Sequence, residues 1–223
     1  MIVDISHVSD KTFRDVLAVT SKPVIASHSS CRAISDVPRN MTDDMIRALG
    51  KNGGVIGVNF GEGFLNPKDA ELLKKAISSI SYNEPSLTGK ALDAYAADEA
   101  HREMKPEPTS ATLDDAVAHI DHAVKLAGID HVGIGSDFDG IEETVVGLED
   151  VSTYPALFAE LARRGWTDAD LKKLAGENLL RVLDAAEQAA VRLQKTRPPS
   201  KATIEQLDGH PAPAKASTKK SKE

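Results

Sequence analysis

Gly53-Gly54-Val55-Ile56-Gly57-Val58-Asn59-Phe60 is the stretch on which the fold reading turns. Two glycines turn the chain, and the run after them is apolar at consecutive positions rather than alternate ones. A strand apolar on both faces is covered on both faces, which marks a parallel sheet lying beneath helices. Upstream, Thr42 is placed to cap a helix with Asp43 and Asp44 in its first turn, ending near Gly50. Pro23-Val24-Ile25-Ala26-Ser27 is a second short apolar strand, and residues 2–6 form another, followed by a helix over 11–19. Downstream, the pattern predicts a helix over about 67–80. A capped amphipathic helix then starts at Thr112, with Asp115 three residues later. His131-Val132-Gly133-Ile134-Gly135-Ser136 is the fourth strand, and three helical patterns follow near 154–164, 167–175 and 177–192. Residues 82–109 are polar, hold three prolines and give no clear pattern. Strands alternating with helices predict an α/β fold of about four βα units, which fits a small α/β sheet or half of a (β/α)8 barrel.

Composition narrows the function. The 223 residues are 41% hydrophobic and 27% charged, as in an ordinary globular protein. The formal charge of −7 and a sequence pI of about 5.5 argue against general nucleic-acid binding. No run of about 18 apolar residues predicts a membrane span, and Cys31 alone cannot close an internal disulfide. The charge is uneven. From Lys195 onward seven basic residues face three acidic ones, a balance of +4 that leaves −11 for residues 1–194. Residues 195–223 are rich in Pro, Lys and Ala and poor in large apolar side chains, so they read as a disordered, solubilising basic tail.

In parallel α/β folds the working residues sit just past the C-terminal ends of strands. Here the polar residues at those ends are His7, His28, Asn59 and Asp137. Two imidazoles and a carboxylate at one rim suit a divalent ion such as Zn²⁺. Gly133 and Gly135 leave room inside the strands for a ligand or a large neighbour. Arg39, on the loop after His28, offers a planar fork for a carboxylate or stands as a surface residue. His119 and His122 read as solvated residues on the polar side of their helix, and Gly61-Glu62-Gly63 as a flexible loop over the rim. A Cys31–His28 nucleophilic pair is the weaker use of His28, because a metal ligand cannot also serve as the base. His101 and His210 carry no assigned role.

These residues match a known pattern. The chain resembles the C-terminal half of the membrane (renal-type) dipeptidases, peptidase family M19. The matching stretches are Asp4-Ile5-Ser6-His7-Val8-Ser9, Ser27-His28-Ser29-Ser30, Pro38-Arg39-Asn40, Val58-Asn59-Phe60, Gly135-Ser136-Asp137-Phe138-Asp139-Gly140, Gly147-Leu148-Glu149-Asp150-Val151-Ser152 and Gly176-Glu177-Asn178-Leu179-Leu180-Arg181-Val182. Their order holds from about residue 1 to 190. The resemblance implies a TIM-like (β/α)8 barrel of a metal-dependent hydrolase with two zinc ions, cleaving the peptide bond of dipeptides through a metal-bound hydroxide. It implies that His7 and His28 hold one zinc, that Asp137 handles the proton, and that Arg39 grips the substrate carboxylate.

The family's early His-x-Asp pair, its bridging glutamate and a further substrate-contacting histidine have no counterpart here. Residues 1–194 therefore read as the C-terminal half of the barrel, with residues 2–6 as its fifth strand. The functional expectation is a zinc-dependent dipeptidase present as a C-terminal fragment. The alternatives are a subunit that needs a separately encoded N-terminal half and a catalytically inactive remnant. The expected partners are a dipeptide and either a second copy, as a homodimer, or the missing half. Side-chain preference and compartment are left open.

Overall fold

Strand β2 (Val55–Val58) is buried at all four positions, as a run apolar on both faces requires. It lies between β1 (Ile25–Ser29) and β3 (Val132–Ile134), and both pairings are parallel. The computed structural model describes residues 1–79, 110–141, 143–203, 206, 207 and 209. The unpatterned stretch 82–109 and most of the basic tail lie outside the described residues. The chain divides into two units, residues 1–187 and 188–223, and the site lies in the first.

Helices fill the connections. They are α1 (Asp10–Val19), α2 (Asp43–Asn52), α3 (Glu62–Leu65), α4 (Pro67–Ser79), α5 (Leu113–Ala127), α6 (Tyr154–Arg163), α7 (Asp168–Lys172) and α8 (Asn178–Thr196). Their starts follow local chemistry. Thr42 accepts the Met45 amide at 3.3 Å. The Thr112 amide donates to Asp115 at 2.8 Å, and the Thr167 amide to Asp170 at 3.2 Å. Each bond satisfies an amide that a bare helix start leaves orphaned.

Three differences from the sequence reading have physical reasons. Residues 2–6 do not form a ladder strand. They make a parallel bridge between Asp4 and Ile25, with amide bonds Ile5→Ile25 and Ile25→Val3. Met1 and Val3 are exposed, so one side of this segment lacks the cover that drives an apolar run into a sheet. Glu62–Leu65 is a helical turn rather than a loop over the rim, and all four of its residues are buried. Finally, the helical pattern near 167–175 breaks after Lys172 into a π-type turn, Lys173–Glu177. There Asn178 donates to the carbonyls of Ile129 and Val132 at 2.7 and 2.8 Å, pinning the start of α8 beneath β3.

The sheet bends sharply at one place. β1 and β2 pair Ala26 with Ile56 and then Ser29 with Val58, so β1 holds one residue more than its partner between those points. Such a bulge kinks the strand and re-aims the side chains that follow. It pushes the Ser27 carbonyl oxygen inward, where a Cβ on Gly57 would lie 2.3 Å from it and one on Gly135 2.0 Å. Only glycine fits at either position. The room expected at Gly135 is thus taken by backbone, not by a ligand. Ala26, Ile56 and Val132 are buried within the core that includes α2 and α5. Ile25, Ser27, Val55, Gly57 and Gly133 line a cavity of about 100 Å³ on the sheet's other face.

Candidate active site

His7 follows the segment bridged to β1, His28 lies in the bulge of β1, and Asp137 follows β3. His7 (φ 61°) and Asp137 (φ 67°) are the non-glycine residues with positive φ among those described. A left-handed backbone at His or Asp costs energy, and such outliers concentrate where function demands them. Gly140 makes the second one feasible. Its amide closes a tight turn onto the Asp137 carbonyl at 2.9 Å, and a Cβ there would fall 2.4 Å from Asp137 Oδ1.

The side chains converge. His7 Nε2 and His28 Nε2 are 2.6 Å apart, with the rings edge-on at 61°. Asp137 Oδ2 lies 3.8 Å from His28 Nε2. Arg39 Nη2 donates to His7 Nε2 at 3.0 Å and to the His28 carbonyl at 3.4 Å. Arg39 is not the surface residue that its loop position allowed. It is 5% exposed, and its guanidinium sits 5.7 Å from the centre of the Phe64 ring. Four residues distant in sequence therefore meet at one point.

The loop carrying Arg39 is clamped from behind. Arg32 makes a two-pronged ion pair with Asp10 at 2.9 and 3.0 Å. The same guanidinium donates to the carbonyls of Asn40 and Pro38 at 2.7 and 2.8 Å. Asn40 in turn reaches the carbonyls of Ser35 and Phe64, both at 2.8 Å. Sequence reasoning missed this clamp, because nothing in spacing distinguishes Arg32 from any loop arginine.

Electrostatics favour a neutral His28. Burial holds the His28 pKa below its ordinary value; the Asp137 carboxylate opposes that shift, while Arg39 and His7 reinforce it. A neutral His28 has one N–H, and its Nδ1 faces the Ser27 hydroxyl at 2.8 Å. If the proton sits on Nδ1, Nε2 presents a lone pair. Arginine is only a donor, so its bond to His7 Nε2 makes that atom an acceptor as well. At 2.6 Å the two Nε2 atoms either share one proton or turn their lone pairs on a cation between them. The pair thus has the donor chemistry of metal ligands. Among the described residues no group of three or more His, Cys, Asp or Glu is arranged to hold a metal ion.

Other candidates fall elsewhere. Asn59 is fully buried behind the rim, accepting from Ser30 Oγ at 3.0 Å, and its Nδ2 has no hydrogen-bond partner among the described residues. His119 is not solvated. It is fully buried, accepts the Cys31 amide at Nδ1 (2.9 Å) and donates from Nε2 to the Leu65 carbonyl (2.9 Å). The small Ala116 and Ala123 widen the buried arc of α5 toward it, and a helical wheel built from the large apolar residues overlooks them. His122 is partly exposed and pairs with Asp43 at 2.8 Å. Burial pushes the Cys31 thiol up to about 12, which removes it as a nucleophile. Beside Asp137, Phe60, Phe138 and Tyr154 pack ring to ring, and the Tyr154 hydroxyl bonds Ser136.

A family profile described as membrane dipeptidase (peptidase family M19) matches residues 1–197. The chain belongs to this family. It is 37% identical over 196 residues to Dipeptidase verJ of Clonostachys rogersoniana, a match covering 88% of this chain and 40% of that protein. Among solved structures it is similar to the probable dipeptidase PvdM from Pseudomonas aeruginosa. There the identity is 34% and the TM-score 0.66, covering 84% of this chain and 51% of that one. It is also similar to a metallo peptidase from Rhodobacter sphaeroides, liganded with a phosphinate mimic of the dipeptide L-Ala-D-Ala. That match has 28% identity and a TM-score of 0.59, covering 82% and 41%. The chain thus spans between two fifths and about half the length of the M19 relatives it matches. The M19 proteins include metallopeptidases, and the α/β architecture seen here is theirs in part.

Proposed function

We propose that this M19 chain contributes to zinc-dependent hydrolysis of dipeptides, with His7 and His28 as ligands, Asp137 as the proton-handling carboxylate and Arg39 as the carboxylate grip. The carrying observation is the pair of imidazole nitrogens 2.6 Å apart, with Asp137 and Arg39 beside them. A zinc ion at such a site would lower the pKa of bound water toward about 7 and polarise a carbonyl. The chain's own residues do the rest. His7 and His28 orient two imidazole nitrogens toward one point. Asp137 holds Oδ2 where it can take a proton from an attacking water and return it to a leaving amine. Arg39, buried against Phe64, presents a guanidinium that binds a free C-terminal carboxylate, which is what distinguishes a dipeptide from an internal peptide bond.

Catalytic zinc sites usually have three protein ligands, and the described residues supply two. On this proposal the chain is the C-terminal half of a TIM-like barrel, and further ligands come from a segment equivalent to the other half of the M19 relatives. That same shortfall favours a second reading, in which the chain needs a separately encoded N-terminal half or is an inactive remnant.

Hydrolysis of dipeptides and of their C-terminal amides, with zinc added, decides between them. Activity on the free acids, reduced at least 100-fold by His28→Ala and by Asp137→Ala, supports the first reading. Activity only after a complementary half is supplied supports the subunit. No hydrolysis with either addition supports the remnant, and activity that survives both substitutions overturns the site.

A further inference from the structure

Behind His28 lies a chain of polar groups that neither the ligand role nor the substrate grip requires. Asp4 Oδ1 accepts the amides of Ser6 and Ser27, both at 3.0 Å. Its Oδ2 accepts the Ser27 hydroxyl at 2.5 Å. Ser27 Oγ also lies 2.8 Å from His28 Nδ1 and 3.4 Å from Ser6 Oγ. The Ser6 hydroxyl holds the backbone of His28 from both ends, accepting its amide at 3.1 Å and donating to its carbonyl at 3.2 Å.

A hydroxyl has one proton to give. Ser27 stands between an imidazole nitrogen and a carboxylate oxygen, and the bond to the carboxylate is the shorter and the charge-assisted one. The proton of Ser27 is therefore committed to Asp4. The Ser6 proton is committed to the His28 carbonyl, so Ser27 Oγ keeps a lone pair for His28.

We infer that Asp4 and Ser27 set the tautomer of His28: the hydroxyl oxygen accepts a hydrogen bond from Nδ1–H and leaves Nε2 bare on the side of His7. They are positioning residues, acting on the reaction only through His28. Their value to a metal site rests on the reading of His28 as a ligand, while the tautomer itself does not. Partners of this kind, on the far side of a ligating histidine, fix ring orientation and raise ligand basicity.

The test uses the full chain, metal-free, at pH 8, with ¹⁵N-labelled histidine, and reads the ring nitrogens by long-range ¹H–¹⁵N correlation. The His28 signals are identified by their loss in His28→Gln. The inference expects the Nδ1–H form in the wild type. It expects a shift toward the Nε2–H form in Ser27→Ala and a partial shift in Asp4→Asn. Ser27→Thr keeps a hydroxyl at a residue that lines a cavity, and it is expected to restore the wild-type pattern. Backbone amide spectra show whether each variant is folded. A merely structural role for Ser27 would leave the tautomer where it was. An Nε2–H form in the wild type, or an unchanged Nδ1–H form in both Ser27→Ala and Asp4→Asn, overturns the inference.

Zn²⁺ titration against a chromophoric chelator is the second readout. Affinity is expected to fall about 10- to 100-fold in Ser27→Ala and to stay near wild type in Ser27→Thr. A wild-type chain that keeps the Nδ1–H form but binds no zinc, either alone or with a complementary half supplied, would sink the ligand reading and leave the tautomer relay standing.

Discussion

His119 shows what one buried side chain does to the pH range of a protein. It must be neutral to accept from the Cys31 amide and donate to Leu65. Burial lowers its pKa from 6.5 to about 4, against the opposing pull of the Leu65 carbonyl and Asp115. Between those values the unfolded chain binds a proton that the folded chain refuses. The stabilisation is therefore complete above pH 6.5 and is lost as pH falls toward 4, by roughly 3 kcal/mol in all. Urea unfolding at pH 7.5 and at pH 5 should show the loss, and His119→Gln should flatten that part of the profile while lowering stability at both. At Gly135 the constraint is steric. A methyl group would collide with the Ser27 carbonyl at 2.0 Å, so Gly135→Ala must shift either β3 or the bulge that carries His28. We expect a cost of about 1–3 kcal/mol, typical of overpacking, measured by thermal melting. The candidate site residues were legible in sequence as types and places: a polar residue at each strand end. Their states were not. Whether Arg39 is surface or buried, and whether His119 faces water or core, depends on neighbours distant in the chain.

At the scale of elements, helix starts were the most legible feature. Thr42 and Thr112 cap as their spacing predicts, and Thr167 does the same, because capping is a bond across three residues, independent of the rest of the fold. Thr112→Ala should cost about 1 kcal/mol and lower the melting temperature by a few degrees. The loop over 31–40 is the opposite case. Its shape comes from Arg32 bridging Asp10 at the start of α1 to the carbonyls of Pro38 and Asn40. Asp10→Ala would leave a largely buried guanidinium unpaired, at a cost of about 3 kcal/mol. Since that guanidinium holds the loop of Arg39, steady-state kinetics in a dipeptidase assay should show KM rising more than kcat falls. An equal loss in both would mean that the clamp supports the metal-facing residues instead. The segment 2–6 has the pattern of a strand but makes only a bridge, because Met1 and Val3 are exposed and bury little that would repay the ordering of its backbone.

For the whole molecule, charge and composition separate a body of −11 from a basic end of +4. Helix α8 continues through Thr196, past the boundary at 194 that composition suggested. The Pro- and Lys-rich residues beyond it hold few groups that could be buried. Truncation after Arg197 is expected to leave the melting temperature and zinc affinity unchanged, and a fall of more than a few degrees would show that this segment packs on the body. Among the described residues no helix is long and apolar enough to cross a membrane.

The sequence alone determined the parallel α/β class, the three ladder strands and most of the helices between them, the capping of the helices and the family. Each depends on interactions a few residues long or on motifs in linear order. Tertiary structure decided the rest. It placed His7 beside His28, buried Arg39, turned His119 inward and put Asp4 behind Ser27. It also gave the glycines at 57 and 135 to a carbonyl oxygen rather than to a ligand. The glycines answer to the one-residue bulge in β1 and the other outcomes to partners distant in the chain, and neither leaves a periodic trace in the sequence.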